Sequence, residues 1–148
     1  AIKWTILCKN AFELGISRIV PMLSARCVSR PDAKSIKKKC ERWQKIALQA
    51  AMQSRRGIIP QICDCVSFEK AAQMSLESEK QIIFYELGGE KVNKILNKKP
   101  KSIAMFIGSE GGFEQSEVDK IIANGGSPAT LGKRILRAET APLAALQL

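Results

Sequence analysis

Three glycines in five residues, Gly108, Gly111 and Gly112, stand between an apolar run and an amphipathic one. No other feature limits the fold of this chain as much. Upstream, residues 102–107 (Ser-Ile-Ala-Met-Phe-Ile) are apolar but for the first and are bounded by turn formers. Such a run reads as a central strand buried on both faces, as in a parallel sheet. Downstream, residues 114–122 read as a helix with Glu114 and Glu117 in its first turn, where acids suit the helix dipole. Gly125-Gly126 stops that helix. Glycine permits positive φ and lets a ligand approach bare amides. Strand, glycine turn and helix start together mark a candidate ligand site at the carboxyl edge of a sheet. On these residues alone, a tight turn with no ligand fits equally well.

The remaining patterns alternate in the same way. Residues 5–14 read as a short helix capped by Gly15. Residues 16–22 read as a strand with Pro21 near its end. A loop with Arg26 and Arg30 leads to the Pro31-Asp32 turn. The longest helix is expected over residues 34–53, with Ile36, Cys40, Trp43, Ile46, Ala47, Ala50 and Ala51 at helical spacing. Its other face carries Lys37, Lys38, Lys39, Arg42 and Lys45, a pattern that most often means solvation. Ser67 is a plausible N-cap for a helix burying Phe68, Ala71, Ala72 and Leu76. Residues 81–86 form a second apolar strand, followed by Gly88-Gly89 and a short helix around Val92, Ile95 and Leu96. Residues 127–131 make a last strand, and residues 132–137 a second loop of glycine and cations. The fold class is therefore α/β, a parallel sheet with helices on both faces.

Composition narrows the chemistry. The 24 Lys+Arg against 14 Asp+Glu give a formal charge of +10, which favours a polyanionic partner, nucleic acid before membrane. There is no histidine, so Ser-His and Cys-His nucleophile pairs and histidine metal ligands are excluded. The five cysteines contain no C-x-x-C, so no zinc site is expected and reduced, cytoplasmic thiols are the default. No apolar run is long enough to span a bilayer. The chain does not open on Met, and we expect it to be one domain of a longer protein.

Two common phosphate motifs fail. A Walker loop requires Lys-Ser/Thr after its last glycine, where Phe113-Glu114 stands, and the glycine spacing is not G-x-G-x-x-G. The second loop weighs towards a ligand, because Arg134, Arg137, Glu139 and Thr140 crowd an otherwise apolar stretch.

Here the residues reach a resemblance. Phe106-Ile107-Gly108-Ser109-Glu110-Gly111-Gly112-Phe113 followed by Leu131-Gly132-Lys133-Arg134-Ile135-Leu136-Arg137-Ala138-Glu139-Thr140-Ala141 resembles the RsmE family. These are bacterial 16S ribosomal RNA uridine N3-methyltransferases of the SPOUT superfamily. Their patterns are I-G-P-E-G-G followed by F or L, and L-G-x-R-I/V-L-R-x-E-T-A. Glu13-Leu14-Gly15-Ile16 with Ile19 and Pro21 resembles the family's E-L-G-V-x-x-I-x-P. Arg26, Trp43, Gln53, Arg56 and Pro60 also match. The chain departs at Ser109, which replaces the usual Pro, at Ala138, which replaces the usual Thr, and at Pro142.

The resemblance implies a SPOUT catalytic domain over residues 1–148, with a C-terminal trefoil knot and without the family's N-terminal RNA-binding β-barrel. It implies a homodimer, S-adenosylmethionine as cofactor, no metal, and 16S rRNA of the small ribosomal subunit as partner. The implied cofactor pocket takes in Leu87, Gly88, Ile107, Gly108, Ser109, Glu110, Gly111, Gly112, Leu131, Gly132, Ile135, Leu136, Thr140 and Ala141. Arg137 and Arg134, with Arg26 and Arg56, would stabilise charge developing on a uracil, and Glu110 or Glu139 would accept a proton or fix an arginine. Two rival readings stay open: a SPOUT ribose 2′-O-methyltransferase, and a non-catalytic basic RNA-binding module.

Overall fold

The computed structural model describes residues 16–27, 32–55, 57–96, 100–109 and 111–130. The helix expected over residues 5–14 and the second glycine loop lie outside them.

The longest helix, α1 (Ala33–Gln53), starts where Asp32 accepts the Ser35 N–H at 2.7 Å. It ends at Ser54, whose hydroxyl donates to the Ala50 carbonyl at 2.7 Å. Cys40, Ala47, Ala50 and Ala51 are its buried stripe, while Lys37, Lys38, Lys39, Arg42 and Lys45 are exposed as expected. Gln44 fastens the helix to the next segment. Its amide donates to the Pro60 carbonyl at 3.0 Å and accepts the Ile62 N–H at 2.8 Å.

The strand expected over residues 16–22 is two pieces, β1 (Arg18–Ile19) and β2 (Met22–Leu23). They pair in parallel with β3 (Gln61–Ile62) and β4 (Val66–Ser67) respectively. Pro21 has no N–H to extend the ladder, so the run breaks there, and its carbonyl accepts the Val66 N–H at 3.0 Å. Ser67 caps α2 (Phe68–Ser75), its hydroxyl accepting the Lys70 N–H. Phe68, Ala71 and Ala72 are buried as expected. Leu76 is not: it stands past the last helical residue and is 53% exposed.

The main sheet contains β5 (Lys80–Phe84), β6 (Glu90–Lys91), β7 (Ile103–Phe106) and β8 (Ser127–Thr130), all parallel, in the order β6-β8-β5-β7. The apolar run ahead of the glycines is therefore an edge strand of the described sheet rather than a central one. Its residues Ile103, Ala104 and Met105 are half-buried, and among the described strands only β5 pairs with it. The fully enclosed strand is β5, where Gln81, Ile82, Ile83 and Phe84 are all buried.

Alternation along β5 divides two cores. On one face Ile83 packs with Phe106, Phe113, Phe68 and Ala72 of α2, and Val118 and Ile121 of α4 (Gln115–Ala123). On the other face Ile82 and Phe84 pack with Ala129 and with Val92 of the one-turn α3 (Val92–Ile95). Burying each large side chain stabilises the fold by about 1.5–3 kcal/mol. At the end of α4 the N–H groups of Gly125 and Gly126 return to the carbonyls of Ile122 and Ile121. Gly125 has φ +87°, so this is a Schellman turn.

One connection is unusually tight. Residues 85–89 join β5 to β6, yet β8 lies between those two strands. The connection crosses β8 at Ala129, where Tyr85 N–H donates to the Ala129 carbonyl at 3.0 Å. Gly89, at φ +141°, presses so close that a Cβ there would stand 2.8 Å from the Ala129 backbone.

Candidate functional site

Because β5, β7 and β8 are parallel, their carboxyl ends share one edge of the sheet. Side chains and bare backbone placed there converge from segments far apart in sequence. Ile107, Gly108, Ser109, Gly111 and Gly112 follow β7 on that edge, and Leu87 and Gly88 follow β5, with Leu87 80% exposed. These expected cofactor residues are thus brought together. Glu110, Leu131, Gly132, Arg134, Ile135, Leu136, Arg137, Glu139, Thr140 and Ala141 lie outside the described residues, as does Arg56.

The glycine loop folds back on itself. Gly112, at φ +66°, donates its N–H to the Ser109 carbonyl at 2.9 Å, and the two residues form an antiparallel bridge. A Cβ on Gly108 would stand 3.1 Å from the Gly112 Cα. Glycine at 108 is therefore required by the loop's own close packing. Ser109 itself is half-buried, and its hydroxyl oxygen is sealed from solvent with no hydrogen-bond partner among the described residues.

Arg26 stands against this loop within the same chain. Its guanidinium donates to the Gly111 carbonyl at 3.3 Å, and a Cβ on Gly111 would stand 3.0 Å from the Arg26 carbonyl oxygen. The turn that carries Arg26 is fastened by two hydrogen bonds. Cys27 N–H donates to the Ser24 carbonyl, and Ala25 N–H donates to Glu117 Oε1 at 2.9 Å. The other oxygen of Glu117 accepts the Glu114 N–H at 2.9 Å, so this buried carboxylate serves two backbone donors.

Two acids escaped the reading of the sequence. Glu86 is exposed at the carboxyl end of β5, and a Cβ on Gly112 would stand 3.8 Å from its Oε1. Its position just past an apolar strand was the available signal. Glu117 reads from sequence only as a helix-start acid, since its bond to Ala25 is tertiary. Tyr85 and Phe113 behave as core residues. Phe113 is buried with its ring 5.8 Å from that of Phe68, and the half-buried Tyr85 donates to Gln115 at 3.1 Å.

Cys27, Cys40, Cys63 and Cys65 are free thiols. Burial pushes Cys40 above its ordinary value, and Asp64 adds to the shift. Burial likewise raises Cys65, with Cys40 and Cys27 nearby. Such thiols stay protonated and are poor nucleophiles. Among the described residues no group of His, Cys, Asp or Glu side chains could hold a metal ion. No described helix is long and apolar enough to cross a membrane.

The fold defines a class: α/β proteins with a parallel sheet and a glycine loop at its carboxyl edge. The chain belongs to the RNA methyltransferase domain family, whose model matches residues 1–148. It is 38% identical to the ribosomal RNA small subunit methyltransferase E of Bacillus subtilis, over 98% of this chain and 59% of that protein. A crystal structure of the Neisseria gonorrhoeae ribosomal RNA small subunit methyltransferase E bound to S-adenosyl methionine superposes with a TM-score of 0.86. It is 32% identical, over 99% of this chain and 60% of that one. A Legionella pneumophila structure, described as a putative methyltransferase in complex with the cofactor SAM, gives 0.89 at 28% identity, over 98% of this chain and 59% of that one. The chain thus spans about three fifths of the relatives it matches. The RsmE resemblance read from its motifs is borne out.

Proposed function

We propose that this chain is the catalytic domain of an S-adenosylmethionine-dependent methyltransferase acting on N3 of a uridine in 16S ribosomal RNA. The observation that carries the reading is the glycine loop at the sheet's carboxyl edge, in a chain that matches the RNA methyltransferase family along its whole length. The residues present fit a nucleoside-bearing ligand on two counts. Glycine at 108, 111 and 112 lets the loop fold tightly and leaves its amides bare of side chains, and Ser109 holds a hydroxyl with no partner among the described residues.

When bound, S-adenosylmethionine supplies an electrophilic methyl on its sulfonium. The chain's own work is to hold, orient and stabilise. Backbone groups of residues 107–112 and of Leu131, Gly132, Ile135, Leu136, Thr140 and Ala141 hold adenine and ribose, with Leu87 and Gly88 as a third wall. Uracil N3 must lose its proton, and negative charge then spreads over the flanking carbonyls. Cations stabilise that charge as it develops. Arg26 is proposed for this role, supported by its hydrogen bond to the Gly111 carbonyl, together with Arg134, Arg137 and Arg56. Glu110 or Glu139 accepts the proton or fixes an arginine. Since N3 lies on the pairing edge, the target uridine must be unpaired or flipped out. The exposed cations of α1 contact phosphates without reading sequence.

Several further properties follow the family. We infer a C-terminal trefoil knot, supported by the crossing of residues 85–89 over β8. The homodimer, the cytoplasmic setting and a separate N-terminal RNA-binding barrel in the complete protein are carried over from the family resemblance.

The test is methyl transfer to small ribosomal subunits by the full-length protein, with modified nucleosides identified by mass spectrometry. We expect N3-methyluridine and a turnover that collapses in Arg137→Ala. A 2′-O-methylated product would favour the rival SPOUT chemistry. Unchanged turnover in Arg137→Ala would remove that arginine from the reaction.

A further inference from the structure

We propose that the Ser109 hydroxyl is a ligand-binding group, hydrogen-bonding the nucleoside part of the methyl donor; this rests on the cofactor reading above. The starting point is an energetic anomaly. The Ser109 oxygen is closed to solvent and has no partner among the described residues. Buried hydroxyls are nearly always satisfied, and leaving one unpaired costs stability.

The fold does not need this hydroxyl. Serine usually serves a turn by bonding its side chain to nearby backbone. Here the turn is closed by backbone alone, through the Gly112 N–H to the Ser109 carbonyl at 2.9 Å. The RsmE pattern, moreover, has Pro at this position, which offers no hydroxyl at all. A group that costs stability, closes no turn and is dispensable to the related fold remains to be explained by what it binds.

Its position supplies the ligand class. Ser109 sits between the two bare-backbone contacts of the loop, Gly108 against Gly112 and Gly111 against Arg26. A serine side chain turns about a single torsion between staggered wells. It can therefore leave its sealed orientation when a polar partner arrives, and it can either donate or accept. Ribose hydroxyls and adenine ring nitrogens are partners of that kind. The strain of the unpartnered state is relieved on binding, so it appears as affinity.

The stability and affinity arms move in opposite directions. The unsubstituted chain and Ser109→Ala are unfolded in denaturant without ligand, then titrated calorimetrically with S-adenosylhomocysteine and with 5′-methylthioadenosine. We expect Ser109→Ala to shift the ligand-free midpoint to higher denaturant and to weaken both ligands about tenfold. Both ligands carry the nucleoside and only the first carries the amino-acid tail. Weakening confined to S-adenosylhomocysteine would place the contact on the tail and overturn the assignment. Stabilisation with affinity unchanged would make the hydroxyl a mere packing defect, again overturning it while leaving the cofactor reading intact. Absence of binding by the unsubstituted chain would overturn the cofactor reading and this assignment together. Ser109→Pro, which restores the family residue, is the second variant and is expected to reproduce the loss of affinity.

Discussion

The carboxylate of Glu117 accepts the backbone N–H of Ala25 at 2.9 Å across 92 residues of sequence. Its second oxygen accepts the Glu114 N–H at the start of α4. One buried side chain thus ties the turn bearing Arg26 to the helix that follows the glycine loop. It keeps Arg26 beside the glycine loop, as the proposed stabilisation of charge on the uracil would need.

Removing that carboxylate leaves two backbone donors without partners. Glu117→Ala is expected to lose about 2–4 kcal/mol of stability in denaturant unfolding. Glu117→Gln keeps an acceptor for Ala25 and is expected to lose markedly less. Equal losses in both variants would show that the Ala25 bond contributes nothing.

The crossing at Gly89 sets a second expectation. A methyl group there meets the Ala129 backbone at 2.8 Å and strains φ +141°. Gly89→Ala is therefore expected to cost about 2–4 kcal/mol. Gly57, with open space around its Cβ position, is the control and is expected to tolerate alanine. Thermal melts of the two variants compare them directly.

Alkaline pH offers a third. Burial holds the Cys40 thiol above its ordinary 9.0. In the unfolded chain it ionises near 9.0, so above that pH the unfolded state has released a proton that the folded state keeps. Stability is then whole below about pH 9 and falls as pH rises towards the folded value. Cys65 is shifted the same way. The denaturant midpoint is expected to drop as pH rises above about 9, less steeply in Cys40→Ala.

Local signals were readable where one segment decides its own state. The α1 stripe from Cys40 to Ala51 and the Ser67 cap are set by helical spacing and by a side chain close to the backbone it serves. Strand order was not readable. The run 102–107 is as apolar as residues 81–86, yet it forms an edge of the described sheet, because enclosure depends on which strands arrive beside it. Leu76 failed for a related reason: helical spacing placed it on the buried face, but the helix ends one residue earlier. At the site, glycine spacing located the loop, whereas the contacts of Gly111 with Arg26 and of Glu117 with Ala25 join distant segments and leave no periodic trace.

The most direct measurement is equilibrium dialysis of labelled S-adenosylmethionine against the chain and against Gly111→Val. A side chain at Gly111 collides with Arg26, whose carbonyl oxygen already stands 3.0 Å from the Cβ position. We expect saturable binding of one ligand per chain, lost or weakened at least about tenfold in the variant. No saturable binding by the unsubstituted chain, or equal binding by the two, would contradict the account.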